Sequence, residues 1–236
     1  MEENPEFDKR YDRNFNTLSP EEQEKLGASR VVIIGLGGLG GGVCEMLARV
    51  GVGHLSLIDG DFFEPSNLNR QLLSQEHLMG VPKAVAAKKR VNAINSRVMV
   101  THRVEFVDEE NLYERIKDAD VVMDCLDSID TRFKLQAAAQ KASVPIVSGA
   151  IAGVTGQVTV IFPGDKGYFL IYGEKSRAQS KGVETKTGNI AHCALLVAAL
   201  QSSECLKILL DRGQVLRNKL LIAELWTNIF DVVDLV

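Results

Sequence analysis

The chain has 236 residues, 45% of them hydrophobic and 25% charged, and a formal net charge of −4. That is enough apolar material for a core without a disulfide framework or a metal staple. The acidic balance argues against nucleic acid as a general partner. No apolar run approaches the ~20 residues of a membrane span, and the polar start MEENPEFDKRYDR is unlike a signal peptide. The expectation is a cytoplasmic protein.

Residues 1–18 read as an arm. In SPEEQEKL, Ser19 is placed to cap a helix, Pro20 takes its first position and Glu22 completes a capping box. Val31–Ile34 is a buried strand, Gly40–Val50 a helix and His54–Asp59 a second strand. Lys83–Ile94 reads as a helix, Val98–Val104 as a strand, Glu109–Lys117 as a short helix and Val121–Cys125 as a strand. Thr131–Ala142 follows as a helix and Pro145–Ser148 as a buried strand. Strands alternating with helices predict an α/β fold with a Rossmann-like, doubly wound, mainly parallel sheet. After Gly149 the pattern changes. GVTGQVTVIFPGDKGYFLIYG predicts antiparallel strands joined by Gly and Pro-Gly turns. Residues 173–189 read as a long polar loop, Ala191–Leu210 as a strongly apolar helix, and Leu220–Leu225 and Ile229–Leu235 as closing strands. No linker or repeat interrupts the chain, so a single domain is expected over residues 1–236.

Gly35, Gly37, Gly38 and Gly40 follow the first strand and open a helix. Missing side chains let the backbone approach a phosphate, and the free N–H groups of a helix start favour an anion. Asp59 ends the second strand, where an acid binds ribose hydroxyls in nucleotide folds. These features serve NAD and ATP equally. The next stretch, DGDFFEPSNLNRQ, separates them. A dehydrogenase has no use for Ser66, Asn67, Arg70 and Gln71 packed just after the ribose acid. A triphosphate does, because one helix terminus offers only partial positive charge and Arg suits phosphate oxygens. Lys83 adds a second cation at a helix start, an unfavourable place unless an anion lies there. Lys88, Lys89 and Arg90, later on that helix, read as a solvated face. Asp124 and Asp127, in VVMDCLDSIDTR, fall at the carboxyl end of a buried strand, the edge where open α/β sheets bind ligands. A carboxylate beside a triphosphate implies a metal between them, so Asp127 reads as a Mg²⁺ ligand. Asp124 serves equally well as a structural acid holding nearby backbone. Asp130 reads as the cap of the helix that begins at Thr131.

G-x-G-G-L-G at 35–40, D-x-D at Asp59 and Asp61, S-N-L-x-R-Q at 66–71, Pro-Lys at 82–83 and D-C-x-D at 124–127 together resemble the E1-like activating enzymes. Within them the chain is similar to the HesA/MoeB/ThiF branch, from about Arg10 to the C-terminus. The resemblance implies a sulfur-carrier adenylyltransferase, which uses Mg-ATP to adenylylate the C-terminal glycine of a ubiquitin-like carrier ending in Gly-Gly. It implies nucleotide contacts from Gly35, Gly37, Gly38, Gly40, Asp59, Asp61, Ser66, Asn67, Arg70, Gln71, Lys83, Leu126 and Asp127. The arm RYDR, Arg10 to Arg13, resembles the family's R-Y-x-R, whose last Arg reaches the partner subunit's site. A homodimer with Arg13 acting in trans is therefore implied. Residues 1–28 then form the arm and first helix, 29–150 the nucleotide-binding half and 151–236 the carrier-binding half. Glycines within Ser148–Val158 suit either an extended Gly-Gly tail or a chain bend between two sheet segments, and an apolar sheet face after Val158, with Phe162 and Tyr168, suits the carrier's body.

The chain also departs from its relatives. Several carry two C-x-x-C pairs that bind zinc; Cys44, Cys125, Cys193 and Cys205 make no such pair, so no zinc is expected. The loop 173–189 has no cysteine, and Cys193 lies at the start of the apolar helix. The simplest reading stops at the acyl-adenylate, with sulfur supplied by another protein. His54, His77, His102 and His192 fall outside the motifs. Three alternatives stand beside this reading: an NAD-dependent oxidoreductase, a non-enzymatic module of the same fold, and an E1-like enzyme activating a small molecule or tRNA.

Overall fold

The structure, a computed structural model, describes residues 9–173 and 187–236. Eight strands form one sheet: β1 (Arg30–Ile34), β2 (His54–Ile58), β3 (Met99–Arg103), β4 (Val121–Asp124), β5 (Ile146–Ala152), β6 (Thr155–Ile161), β7 (Lys219–Glu224) and β8 (Ile229–Asp234). Their order is β3-β2-β1-β4-β5-β6-β7-β8. Pairs from β3 through to β5 are parallel, and β6, β7 and β8 continue the sheet antiparallel. This is the doubly wound sheet with an antiparallel extension that the residue pattern predicts. The helices are α1 (Pro20–Ala28), α2 (Gly38–Val50), α3 (Lys83–Ile94), α4 (Leu112–Ile116), α5 (Ile129–Ala142), α6 (Tyr168–Tyr172) and α7 (Ala191–Leu210).

Successive side chains of a strand point to opposite faces, and at the central strands β1 and β4 both faces are covered. Val31 and Ile33 enter a core shared with α2, α3 and α7, while Val32 and Ile34 enter a second core under α4, α5 and α6. Burial on both sides is why β1 and β4 read as unbroken apolar runs. At α1 the capping box forms as expected: Glu22 N donates to Ser19 Oγ at 3.2 Å and Ser19 N to Glu22 Oε2 at 2.8 Å.

Some expectations need correction. YFLIY is not a strand but the short helix α6. Its Tyr168 and Tyr172 lie one turn apart and pack their rings edge-on against Phe133, with centroids at 6.0 and 6.4 Å. Tyr168 is consequently buried, so it is no part of an exposed docking face. The cap of α5 is Ser128, whose Oγ accepts from Thr131 N at 3.3 Å; Asp130 sits inside the first turn and pairs with Lys134 at 2.7 Å. Arg90 stays exposed on the solvated face of α3 while forking onto Glu45 of α2 with two bonds of 2.8 Å. Finally, α7 has the length and composition of a membrane span, with a mean hydropathy of 1.6. It buries Gln201, Ser202 and Glu204, and Gln201 Nε2 bonds the carbonyls of Asp124 and Val147 at 2.9 and 3.3 Å. It is a core helix. Of the long loop, residues 174–186 lie outside the described residues.

Strand β1 lies between β2 and β4, so the crossovers leave it toward opposite sides. Ligands of open α/β sheets bind at the carboxyl end of such a switch point. Register aligns Arg103, Ile58, Ile34, Asp124 and Ser148 in one row across that end. The loops that follow these residues therefore converge on a single place.

Candidate active site

The glycine turn is shaped by close packing. Gly35 has φ +86°, and a Cβ there would lie 2.6 Å from the Cys125 carbonyl oxygen. A Cβ on Gly40 would lie 1.8 Å from the Gly35 carbonyl oxygen, so Gly40 closes the turn from beneath. Asp59 braces it from the side: its carboxylate accepts from Leu36 N at 2.6 Å and from Asp61 N at 2.7 Å. Burial pushes the Asp59 carboxyl above its ordinary value, against those two bonds and the nearby Lys83. Gly37 caps α2 without a side-chain bond, leaving the first N–H groups of a 13-residue helix open at the turn.

Around this turn opens a cleft of about 1170 Å³. Gly35, Gly37, Gly38, Asp59, Asp61, Asn67, Arg70, Gln71, Lys83, Leu126 and Asp127 all line it. Lys83 is 94% buried by position, being only 6% exposed, and its Nζ donates to Asp61 Oδ2 at 3.0 Å. The anion at this helix start is thus Asp61. Arg70 Nη1 donates to the Ser66 carbonyl and to Asn69 Oδ1, both at 2.9 Å, so its side chain folds over the turn that carries it. Asn67 is buried and caps that turn, accepting from Glu64 N at 3.1 Å. Gln71 is buried with Oε1 unpartnered among the described residues. A buried polar atom without a partner costs free energy, so it marks a place for a ligand donor. Asp127 is exposed and lines the cleft.

Three residues named from the sequence do not line the cleft. Gly40 packs under the turn, Ser66 contributes its carbonyl to Arg70, and Arg13 is elsewhere. The arm docks through Tyr11, whose hydroxyl accepts from Asn95 Nδ2 at 2.9 Å, and through a bond from Arg10 to Asn95. Asn95 ends α3 and precedes β3, so the arm sits at the amino-terminal end of the strands, opposite the cleft. Arg13 is exposed there.

One cluster was not foreseen. Asp124 is fully buried and accepts from Ser148 Oγ at 2.6 Å, Tyr168 Oη at 2.5 Å and Leu126 N at 3.0 Å, with Arg132 Nη1 at 3.2 Å. Arg132 also bonds the carbonyls of Leu126 and Gly149. Burial opposes the Arg132 charge, yet Asp124 outweighs it and holds the guanidinium protonated; the Tyr168 hydroxyl is pushed well up, by burial first and then by Asp124. Asp124 is thus the structural acid, and Arg132 fixes the loop that presents Asp127. The signal was in the sequence: Ile129, Arg132, Phe133 and Gln136 share a helix face by spacing, and a polar pair on an apolar stripe is a buried network.

Cys44, Cys193 and Cys205 are buried, and Cys125 is half-buried. Burial pushes the Cys44 thiol up to about 12, and Cys125 and Cys193 are raised by burial as well. Among the described residues, no three His, Cys, Asp or Glu side chains gather as a metal cluster.

Fold and cleft define a Rossmann-type site whose glycine turn is surrounded by Asp59, Arg70, Gln71 and Lys83. The chain belongs to the ThiF family, which it matches over residues 11–235. It is 37% identical to the sulfur carrier protein ThiS adenylyltransferase of Bacillus subtilis, over 93% of this chain and 66% of that protein. It is 34% identical to the SAMP-activating enzyme E1 of Haloferax volcanii, covering 95% and 84%. The molybdopterin-synthase adenylyltransferase of Escherichia coli is 34% identical, covering 87% and 82%. The crystal structure of E. coli MccB with ATP superposes with a TM-score of 0.79 at 24% identity, over 96% of this chain and 71% of that one, and shares the fold.

Proposed function

We propose that this protein adenylylates the C-terminal glycine of a ubiquitin-like sulfur carrier. The carrying observation is the extent of the cleft. It runs from the glycine turn, Lys83, Arg70 and Asp127 to Ala150, Ile151, Ala152, Thr155 and Gln157 beside the end of β5. At about 1170 Å³ it exceeds the ~300–1,000 Å³ typical of a small-molecule pocket. A nucleotide and a peptide tail fit side by side. An NAD-dependent oxidoreductase would leave Arg70, Lys83 and Asp127 idle.

The reaction joins a carrier carboxylate oxygen to the α-phosphorus of ATP while the bond to the bridging oxygen breaks and pyrophosphate leaves. Two anions must meet, so the work is alignment and charge neutralisation. The open N–H groups of α2, Lys83 and Arg70 bind the phosphates, and Asp59 has lone pairs left for ribose hydroxyls. Asp127 and phosphate oxygens suit Mg²⁺, a hard cation that takes one or two carboxylates and keeps water. When bound, the ion supplies positive charge to the leaving pyrophosphate. The first half of the chain, 29–150, is the nucleotide half and 151–236 the carrier half. On this reading the reaction is cytoplasmic, since it consumes ATP.

Ionised Asp59 is required to accept from the turn and the ribose. As pH falls through its raised pKa, ATP binding weakens, beginning at a higher pH than for an ordinary aspartate. Asp59→Asn binds ATP more weakly but loses this acid-limb dependence; calorimetric titration across pH 4–7 (roughly the range bracketing carboxylates) checks it. An unchanged profile in the variant removes Asp59 from nucleotide binding.

Arg13 completes the partner's site in a homodimer, since its own chain holds it at the far end of the sheet. Arg13→Ala lowers activity, and mixing it with Asp127→Ala restores part, because some mixed dimers contain one intact site. No recovery after verified subunit exchange contradicts the role in trans. The direct test of the function is AMP formation with purified carriers ending in Gly-Gly.

A further inference from the structure

Beyond the nucleotide end, the cleft has a wall with an open backbone edge. β5 pairs with β4 only as far as Asp124↔Ser148, but runs on to Ala152 with β6 as its neighbour on the other side. Ala150, Ile151 and Ala152 therefore face the cleft along an edge that no strand occupies. A strap closes the far end of this slot. Gly153 bridges to Asn189, and Gly153 N donates to the Gly188 carbonyl at 2.7 Å. On its other side, Asn69 Nδ2 donates to the Asn189 carbonyl at 3.2 Å, while Asn69 Oδ1 receives Arg70. The strap is thus clamped between the end of the sheet and the segment that carries the phosphate-binding arginine.

The side chain of Asn189 lines the cleft, and its Oδ1 is buried without a partner among the described residues. Such an acceptor is costly to leave unmet and suits an N–H donor. An extended peptide tail brings such donors, and they lose water on entering the slot. Resting on the carrier-adenylylation reading, we propose that Asn189 is a positioning residue for the acceptor substrate. Its side-chain carbonyl takes a hydrogen bond from a main-chain N–H of the carrier's Gly-Gly tail, holding the terminal carboxylate toward the phosphate end. Through Asn69, the same strap ties tail binding to the placement of Arg70.

The test uses the full-length enzyme and a semisynthetic ThiS-type carrier ending in Gly-Gly, with pyrophosphate exchange as the readout. One neutral hydrogen bond is worth about 3–10-fold in affinity. Asn189→Ala should raise KM for the carrier by about that factor and leave KM for ATP unchanged. Asn189→Asp, which keeps the acceptor, guards against a loss caused by misfolding, since it should bind the carrier better than Asn189→Ala. A second arm leaves the enzyme untouched: carriers in which the N–H of each of the last two residues is replaced in turn by an ester oxygen. One of these should lose about as much with the wild type, and lose nothing further with Asn189→Ala. Additive losses, or an unchanged carrier KM in Asn189→Ala, overturn the role of Asn189 alone. Absence of exchange by the wild type with the natural-tail carrier overturns the adenylylation reading itself.

Discussion

Asp127→Ala is expected to lower carrier-dependent ATP–pyrophosphate exchange by about 10²–10³-fold or more, the size seen when one preorganised charge-stabilising group is removed. The protein should remain folded, because the side chain is exposed in the cleft and supports no described neighbour. The loss should appear in kcat rather than in KM for the carrier, since Asp127 acts on charge that develops as pyrophosphate leaves. Raising the Mg²⁺ concentration should recover part of the activity if the phosphates still hold the ion. Steady-state kinetics with a thermal melt distinguishes this from unfolding. Wild-type exchange in the variant removes Asp127 from the mechanism.

Arg132→Met is expected to produce the largest loss of stability. Arg132 and Asp124 are 4% and 0% exposed, so removing the cation leaves an uncompensated buried carboxylate. Breaking such a pair costs about 3–5 kcal/mol, or roughly a 6–20 °C fall in Tm for a chain of this size. The double variant Arg132→Met/Asp124→Asn should lose less than the two single changes added together, because the orphaned charge is gone. Equal and additive losses would show that the ion pair does not hold the network together. Activity should fall even below the melting transition, since Arg132 bonds the Leu126 and Gly149 carbonyls and so fixes the loop before Asp127.

The parallel half was legible because β1 and β4 are buried along nearly their whole length and α1 is announced by its capping box. Lys83–Ile94 and Ala191–Leu210 have the bounds their pattern implies. YFLIY was misread because five apolar residues between two glycines carry no decisive period; the partners that settle it, Phe133 and Asp124, are distant in sequence. The same distance hid the Asp124 network, whose members come from β4, α5, β5, α6 and α7. At the nucleotide end, most residues that the glycine, acid and cation motifs pointed to do meet at one sheet edge, but Gly40, Ser66 and Arg13 do not line the cleft there. The strap was not legible, since the value of Asn189 depends on a buried oxygen that only the folded chain defines.

The most direct measurement is the intact mass of a Gly-Gly-ending carrier after incubation with this protein, Mg²⁺ and ATP, followed by pyrophosphate exchange on the same sample. The account predicts a carrier heavier by one adenylyl group at its C-terminus, and exchange that needs the carrier. A carrier left unmodified, with NAD binding the cleft in preference to ATP, would contradict it.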